Sequence, residues 1–343
     1  MPDPLTSIRS ITAPLRRRLN ALVQSARPAP RIRPAVLEPE DGSLYFEAPQ
    51  IRSGSLGTSP AGVAAADDRL CSCLCTAERL ASPAFREWCS RIKYDWGWYR
   101  KLWEWGFICE ALSERGLLAP GRCGLGFAVG QEPLPALFAS LGCEVLATDL
   151  DFSDTRSQTW WGYLQSDDVS AALNQSGICD PAQFRRLVSY KSVDMTRIPD
   201  DLSRFDFTWS TCSFEHCGSI ELGKEFIWDQ MKCLKPGGIA VHTTEFNLSS
   251  NDETVSTGPI VVFRRRDIED IARGLIAAGH EVAPLDLSLG NHRYNRRVDK
   301  PPHTGRVHLR LQIDRFAATS IGLIIRKGTR ETASVGGSVR PAA

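Results

Sequence analysis

The sequence predicts an α/β protein: a doubly wound, seven-stranded, mostly parallel sheet with a C-terminal antiparallel hairpin. Three observations predict it. From Leu117 onward, short apolar runs alternate with helix-period segments, as in a parallel sheet with crossover helices. A glycine-rich turn, Gly124-Leu125-Gly126-Phe127-Ala128-Val129-Gly130, ends the first run, and the next, Val145-Leu146-Ala147-Thr148-Asp149, ends in an acid. Near the C-terminus two apolar runs, residues 307–313 and 320–325, lie only a few residues apart and pair as a hairpin.

A chain of 343 residues, 42% hydrophobic and 24% charged, has the material for a large core with extensions. Its net charge of +1 supplies no global field toward nucleic acid or a membrane surface. No apolar run reaches the roughly 18 residues of a membrane span, and the N-terminus lacks a secretory h-region. A cytoplasmic location is expected, with the eleven cysteines as reduced thiols rather than a disulfide framework. Cys71-Ser72-Cys73-Leu74-Cys75 is the one cluster to weigh as a metal site. Its spacing differs from the paired knuckles of zinc ribbons and no histidine is nearby, so no metal is expected.

Residues 1–66 are Pro-, Gly- and Arg-rich and read as a loosely ordered extension, either a solvated tail or an organelle transit segment. Residues 67–116 form a helical segment, with order expected to begin near Ala77. Five of the nine tryptophans, Trp88, Trp96, Trp98, Trp103 and Trp105, fall in it, on one long helix or two short ones. It either packs across the sheet or lids a site. The α/β domain spans 117–327, and 328–343 read as a flexible tail. Within the domain, strands are expected at 122–126, 144–148, 189–193, 205–210 and 239–244. Helices are expected at 132–141, 184–188, 221–234 and 267–278, the last with Asp267 as N-cap. A polar stretch containing Trp160, Trp161 and Gly162 lies between the second and third strands, and Lys235-Pro236-Gly237-Gly238 turns into the fifth.

A glycine turn followed by a strand ending in an acid is how an α/β sheet holds a nucleoside-bearing cofactor: backbone approaches the ligand and the acid takes ribose hydroxyls. The order of pieces resembles the class I S-adenosylmethionine-dependent methyltransferases over residues 117–327. The resemblance rests on the loop from Leu125 to Gly130, on Asp149, and on Val193-Asp194-Met195 with Ile198-Pro199. It rests too on Phe205-Asp206-Phe207-Thr208-Trp209-Ser210, Glu215-His216 and Leu234-Lys235-Pro236-Gly237-Gly238. It implies S-adenosylmethionine as cofactor, held by Gly126, Ala128, Gly130, Asp149, Asp194 and Met195. It implies methyl transfer to a small-molecule or glycan-type oxygen or nitrogen acceptor. Two departures stand out. Gly124 occupies the place of an acid, with Glu132 on the far side of the loop, and Ala128 replaces a glycine, which is costly if that position needs positive φ.

Candidates for acceptor chemistry are Glu215, His216, His242 and Glu245, each following or ending a strand whose carboxyl end faces the cleft. Glu215-His216 either takes a proton or caps a helix and shapes the cofactor pocket. His242 is either a pocket wall, with Thr243 to Asn247, or a hydrogen-bonded core histidine. The basic run Phe263-Arg264-Arg265-Arg266-Asp267 and the loop carrying His292, Arg293, Arg296, Arg297, His303 and Arg306 are either solvated surface or contacts to an anionic substrate. They lack the aromatic interleaving of a nucleic-acid face. Two other functions remain open: a nicotinamide-dependent oxidoreductase, which Val129 at the sixth loop position disfavours, and a non-catalytic binding protein on the same fold.

Overall fold

The computed structural model describes residues 44–45, 69–151, 153–154, 156 and 169–329. Most of the expected N-terminal extension, the tail beyond 329, and Trp160, Trp161 and Gly162 lie outside the described residues. Strands β1 (Leu44–Tyr45) and β2 (Ser72–Leu74) come first, then helices α1 (Ala77–Leu80) and α2 (Pro83–Arg91), strand β3 (Trp98–Tyr99) and helix α3 (Arg100–Ser113). The alternating part runs β4 (Cys123–Phe127), α4 (Leu134–Ser140), β5 (Glu144–Asp149), α5 (Val169–Leu173), α6 (Pro181–Leu187) and β6 (Val188–Ser192). It continues with β7 (Phe205–Thr211), α7 (Ile220–Asp229), β8 (Leu234–Asn247) and α8 (Arg265–Ala277). Short strands β9 (Glu281–Val282), β10 (Leu285–Asp286), β11 (Arg297–Asp299) and β12 (Val307–His308) lead to the hairpin β13 (Arg310–Ile313) and β14 (Phe316–Arg326).

The seven expected strands form one sheet in the order β6-β5-β4-β7-β8-β14-β13. From β6 to β8 all neighbours are parallel. β14 runs antiparallel between β8 and β13, which is the expected C-terminal hairpin. The sheet is larger than expected, with twelve strands among the described residues. β13, β2 and β9 share the outer edge of β14 in succession, β10 extends β2, and β11 and β1 extend β13. These additions are two or three residues long, too short for a periodicity to show in sequence.

Side-chain alternation divides the interior into two layers. Phe207, Trp209 and Val241 pack with Trp103, Phe107 and Phe138 under α3 and α4, while Leu125, Phe127, Ala240 and Phe246 pack with Phe226, Ile268 and Leu275 under α7 and α8. β4 is glycine-rich partly for this reason. A Cβ on Gly126 would lie 2.4 Å from the Trp209 ring, and one on Gly124 would lie 2.3 Å from Phe207.

Several boundaries move. The Trp-rich span is two helices, α2 and α3, with Trp96 and Trp98 between them. Cys71–Cys75 does not precede the ordered part: it includes β2, with Cys73 and Cys75 buried and their thiols free. Helix α6 starts three residues before the expected one because Asp180 accepts from Ala182 and Gln183 N–H, with Pro181 in the first turn. Asp267 is the third residue of α8 rather than its N-cap, and its carboxylate accepts the backbone N–H of Arg264 at 2.9 Å. The Lys235–Gly238 turn is absorbed into β8, because Gly237 N–H donates to Lys327 O and Lys327 N–H to Gly238 O, extending the β14 pairing.

Candidate functional site

Strand order reverses at β4, whose neighbours β5 and β7 lead the chain to opposite sides, and ligands of doubly wound sheets bind at the carboxyl ends beside such a reversal. The loop leaving β4 lies there. Ala128 and Gly130 both have left-handed backbone, φ 49° and 52°. Val129 N–H donates to Thr148 O at 3.1 Å, and Gly130 N–H donates to Asp149 Oδ2 at 2.7 Å. The other carboxylate oxygen of Asp149 accepts Leu150 N–H at 2.7 Å. Nothing lies within 4 Å of where a Gly130 Cβ would be, so the loop presents open space at that point. Asp149 O also accepts Val193 N–H at 2.7 Å, which seats Asp194 and Met195 beside it. Burial opposes ionisation of Asp194, but hydrogen bonds from Arg156 and Thr196 hold its carboxyl below the usual range. All six expected cofactor residues belong to this one end of the sheet, although Gly126 itself lies beneath Trp209.

At the carboxyl ends of β7 and β8 lies a buried charge cluster. Glu215 follows β7 on a 3-10 turn (Phe214–His216), and Glu245 is near the end of β8. They are 1% and 4% exposed, and one ligating atom from each, with Cys212 Sγ, fits within 4.8 Å. Thr244 Oγ1 donates to Glu215 Oε2 at 3.0 Å. Arg100 pairs with Glu245 Oε1 and reaches Glu104 at 3.2 Å and Ser320 Oγ at 3.0 Å, while Lys101 Nζ is 2.6 Å from Glu104 Oε2. Glu245 Oε2 is buried without a hydrogen-bond partner.

Burial pushes both Glu215 and Glu245 above the usual carboxyl range; Glu104 adds to the rise at each, and Glu215 adds to it at Glu245. Burial would also raise Glu104, but Lys101 and Arg100 hold it below that range. The simplest neutral arrangement is two cations, ionised Glu104, and a single proton carried by one or other of Glu215 and Glu245. Cys212, beside them, has φ 46°, a left-handed outlier at the carboxyl end of β7. Its thiol is pushed far up by burial, so it stays protonated.

The two histidines part company. His216 is half-buried, its Nδ1 lies 2.7 Å from Pro259 O, and burial lowers its pKa to about 4. His242 is fully buried on the opposite face of β8 from Glu245, between Phe214 and Phe226, with Nδ1 2.8 Å from Ser210 Oγ. Burial lowers its pKa to about 3, so it is a neutral core histidine rather than a pocket wall. Glu132, beyond the loop, accepts Trp209 Nε1–H at 2.6 Å and is raised to about 7 by burial. The basic run is engaged within the chain: Arg264 with Asp267, Arg265 with Glu269, Arg266 with Asp252.

Arg100, Lys101, Glu104 and Ser320 were not candidates from the sequence. A signal was present: Arg100 and Glu104 stand four apart in a helix otherwise apolar on nearly every side, where a charge needs a partner.

No family model matches the chain, and the search of curated proteins found no match. Among solved structures it is similar to the [4+2]-cyclase SpnF, at 16% identity over 65% of this chain and 80% of that one, TM-score 0.42. It is similar to the glycopeptide N-methyltransferase MtfA, at 15% over 63% and 92%, TM-score 0.38. A third is 1,6-didemethyltoxoflavin-N1-methyltransferase from Burkholderia thailandensis with S-adenosylhomocysteine bound, at 14% over 63% and 74%, TM-score 0.38. A likeness at this level assigns no residue a role, and the names include a cyclase. The fold rests on the chain's own sheet: its strand order, its reversal at β4 and its inserted antiparallel β14 make it a doubly wound, Rossmann-like α/β fold.

Proposed function

We propose that the protein is an S-adenosylmethionine-dependent methyltransferase acting on a small-molecule or glycan-type oxygen or nitrogen acceptor. The carrying observation is the Asp149–Gly130 hydrogen bond, which fixes a left-handed loop and an acid side by side at the reversal point of the sheet. The residues fit the cofactor: the space above Gly130 is open, and the backbone there can approach a ligand without a Cβ. The Asp149 carboxylate, oriented by the backbone N–H groups of Gly130 and Leu150, is the acid placed to meet a ribose hydroxyl. Gly126, Ala128 and Gly130 would shape the loop under the cofactor, and Asp194 and Met195 would flank its base.

When bound, the cofactor supplies an electrophilic methyl group on a sulfonium. The chain's part is to align the acceptor and take its proton as the new bond forms. Glu215 and Glu245 suit the second task, since a carboxylate pair holding one proton has room for another and binds it near neutral pH. Arg100 holds Glu245 in place. His216 stays neutral and shapes the wall of the cleft, and His242 takes no part.

Isothermal titration of the purified, folded chain with S-adenosylhomocysteine tests the reading. Saturable binding at one site supports it. Absence of binding, with NADH quenching the tryptophans instead, would move the protein to the oxidoreductases, and binding of neither would leave a non-catalytic protein on this fold.

A further inference from the structure

Asp299, His303 and His308 form a second polar group, sharing no residue with the loop or the carboxylate pair, although the Arg100 charge reaches both of its histidines. Asp299 ends β11, His308 ends β12, and His303 lies on the segment between them. One ligating atom from each fits within 4.8 Å. Asp299 and His308 are buried, and His303 is half-buried.

Three features set this group apart from a chance meeting of polar side chains. His308 Nδ1 lies 2.8 Å from Asp299 Oδ2. Two donors about 2.0–2.1 Å from one ion, at a near-right angle, would be separated by about the same distance, so a cation can replace the proton between them. The Asp299 carboxylate is oriented by Thr304 N–H at 2.9 Å, Thr304 Oγ1 at 3.2 Å and Gly305 N–H at 2.9 Å, the kind of outer support that metal-binding carboxylates receive. Both ring nitrogens of His303 are shut off from solvent without a well-formed hydrogen bond. Burial and then His308 lower its pKa, against Asp299 and its backbone carbonyl, which favour the charged form. At most one of the His303 nitrogens meets a backbone acceptor, so the other is left without a partner, and buried polar groups nearly always have one.

We propose that Asp299, His303 and His308 bind a borderline divalent cation of the zinc, cobalt or iron(II) kind. Two imidazoles and one carboxylate are a donor set for such ions rather than for magnesium or calcium, which take oxygen. Binding displaces the proton shared by Asp299 and His308 and draws the His303 ring inward. The segment between β11 and β12 is thereby pinned to the sheet edge. Three protein donors leave a coordination position for water. The Tyr99 ring stands 5.6 Å from His308, next to Arg100 in the chain, so the ion would lie close to the start of α3. The site does not depend on the methyltransferase reading.

Titration of the chelator-treated full chain with cobalt(II), followed by visible absorption, tests it. The expected result is one cobalt per chain with ligand-field bands and no thiolate-to-cobalt charge transfer, displaced by zinc. His303→Ala should weaken binding by roughly 10–100-fold with the circular dichroism unchanged. Should that variant fail to fold, X-ray absorption at the cobalt edge of the wild-type protein counts the imidazoles, and two are expected. No stoichiometric binding, a thiolate band placing the ion on cysteine, fewer than two imidazoles, or a folded His303→Ala with unchanged affinity would each overturn the proposal.

Discussion

The Asp149 carboxylate, at the end of β5, accepts the backbone N–H of Gly130 at 2.7 Å, tying the loop after the first central strand to the acid of the second. One side chain thus sets the loop conformation and is also the group proposed to meet the ribose. Asp149→Ala removes a charge-assisted hydrogen bond from both. S-adenosylhomocysteine affinity should fall by about 1.5–3 kcal/mol, roughly 10–150-fold, by isothermal titration. Asp149→Asn should lose less, since an amide oxygen still accepts from Gly130.

Ala128 and Gly130 have nearly the same left-handed backbone, but only one of them has a Cβ. Ala128→Gly relieves about 1–2 kcal/mol of strain and gives back about 0.4–1 kcal/mol to unfolded-chain entropy. Urea unfolding should show a net gain of up to about 1.6 kcal/mol. Gly130→Ala should show a loss of about 1 kcal/mol despite the open space around it. A destabilised Ala128→Gly would mean that the methyl group packs usefully.

Arg100 joins Glu104 and Glu245; removing it strands the buried Glu245, while Glu104 keeps Lys101. Arg100→Met should cost about 3–5 kcal/mol. Adding Glu245→Gln should recover part of that loss in a double-mutant cycle. Strict additivity of the two changes would dissolve the pair as an energetic unit.

Glu132 has a folded-state pKa of about 7, raised by burial. A raised carboxyl pKa means that the folded state holds the proton more tightly. The stabilisation is complete below the ordinary carboxyl range, near 4.5, and is lost as pH rises toward 7. Glu132→Gln keeps an acceptor for Trp209 and cannot ionise. It should therefore match the wild type near pH 4.5 and exceed it by about 2–3 kcal/mol at pH 8. Parallel stability curves for the two proteins would contradict the assignment.

His242 has the opposite sign. Burial lowers its pKa to about 3, so its neutral form stabilises the fold above pH 6.5 and that contribution fades as pH falls toward 3. Its imidazole resonances should not move between pH 5 and 8. His242→Ala should lower stability by about 2–4 kcal/mol and leave cofactor affinity unchanged. Titration near neutrality would return His242 to the acceptor side.

The loop and its acid were legible because both are local: a glycine run, a short strand and an aspartate leave their marks within thirty residues. Even so, Gly126 was legible only as a cofactor glycine, whereas in the fold its bare Cα makes room for the Trp209 ring. Glu215 and Glu245 were legible as candidates by their positions after strands. Their pairing with each other was not, because it depends on β7 and β8 lying side by side with both carboxylates turned inward. Asp299, His303 and His308 were less legible still. They are polar residues in an irregular stretch, and only the edge pairings of β11 and β12 bring them together.

The sequence by itself determined the sheet, its direction of winding, its closing hairpin and the place of the glycine loop, because periodicity and turn chemistry act over a few residues. The tertiary structure alone decided which polar groups are buried together. His242 became a core residue because its face of β8 meets Phe214 and Phe226, while Glu245, three residues on, meets Arg100 from α3. Alternation along one strand sends neighbours to opposite environments, one filled by rings from the nearby turn and α7 and the other by a charge from the distant α3.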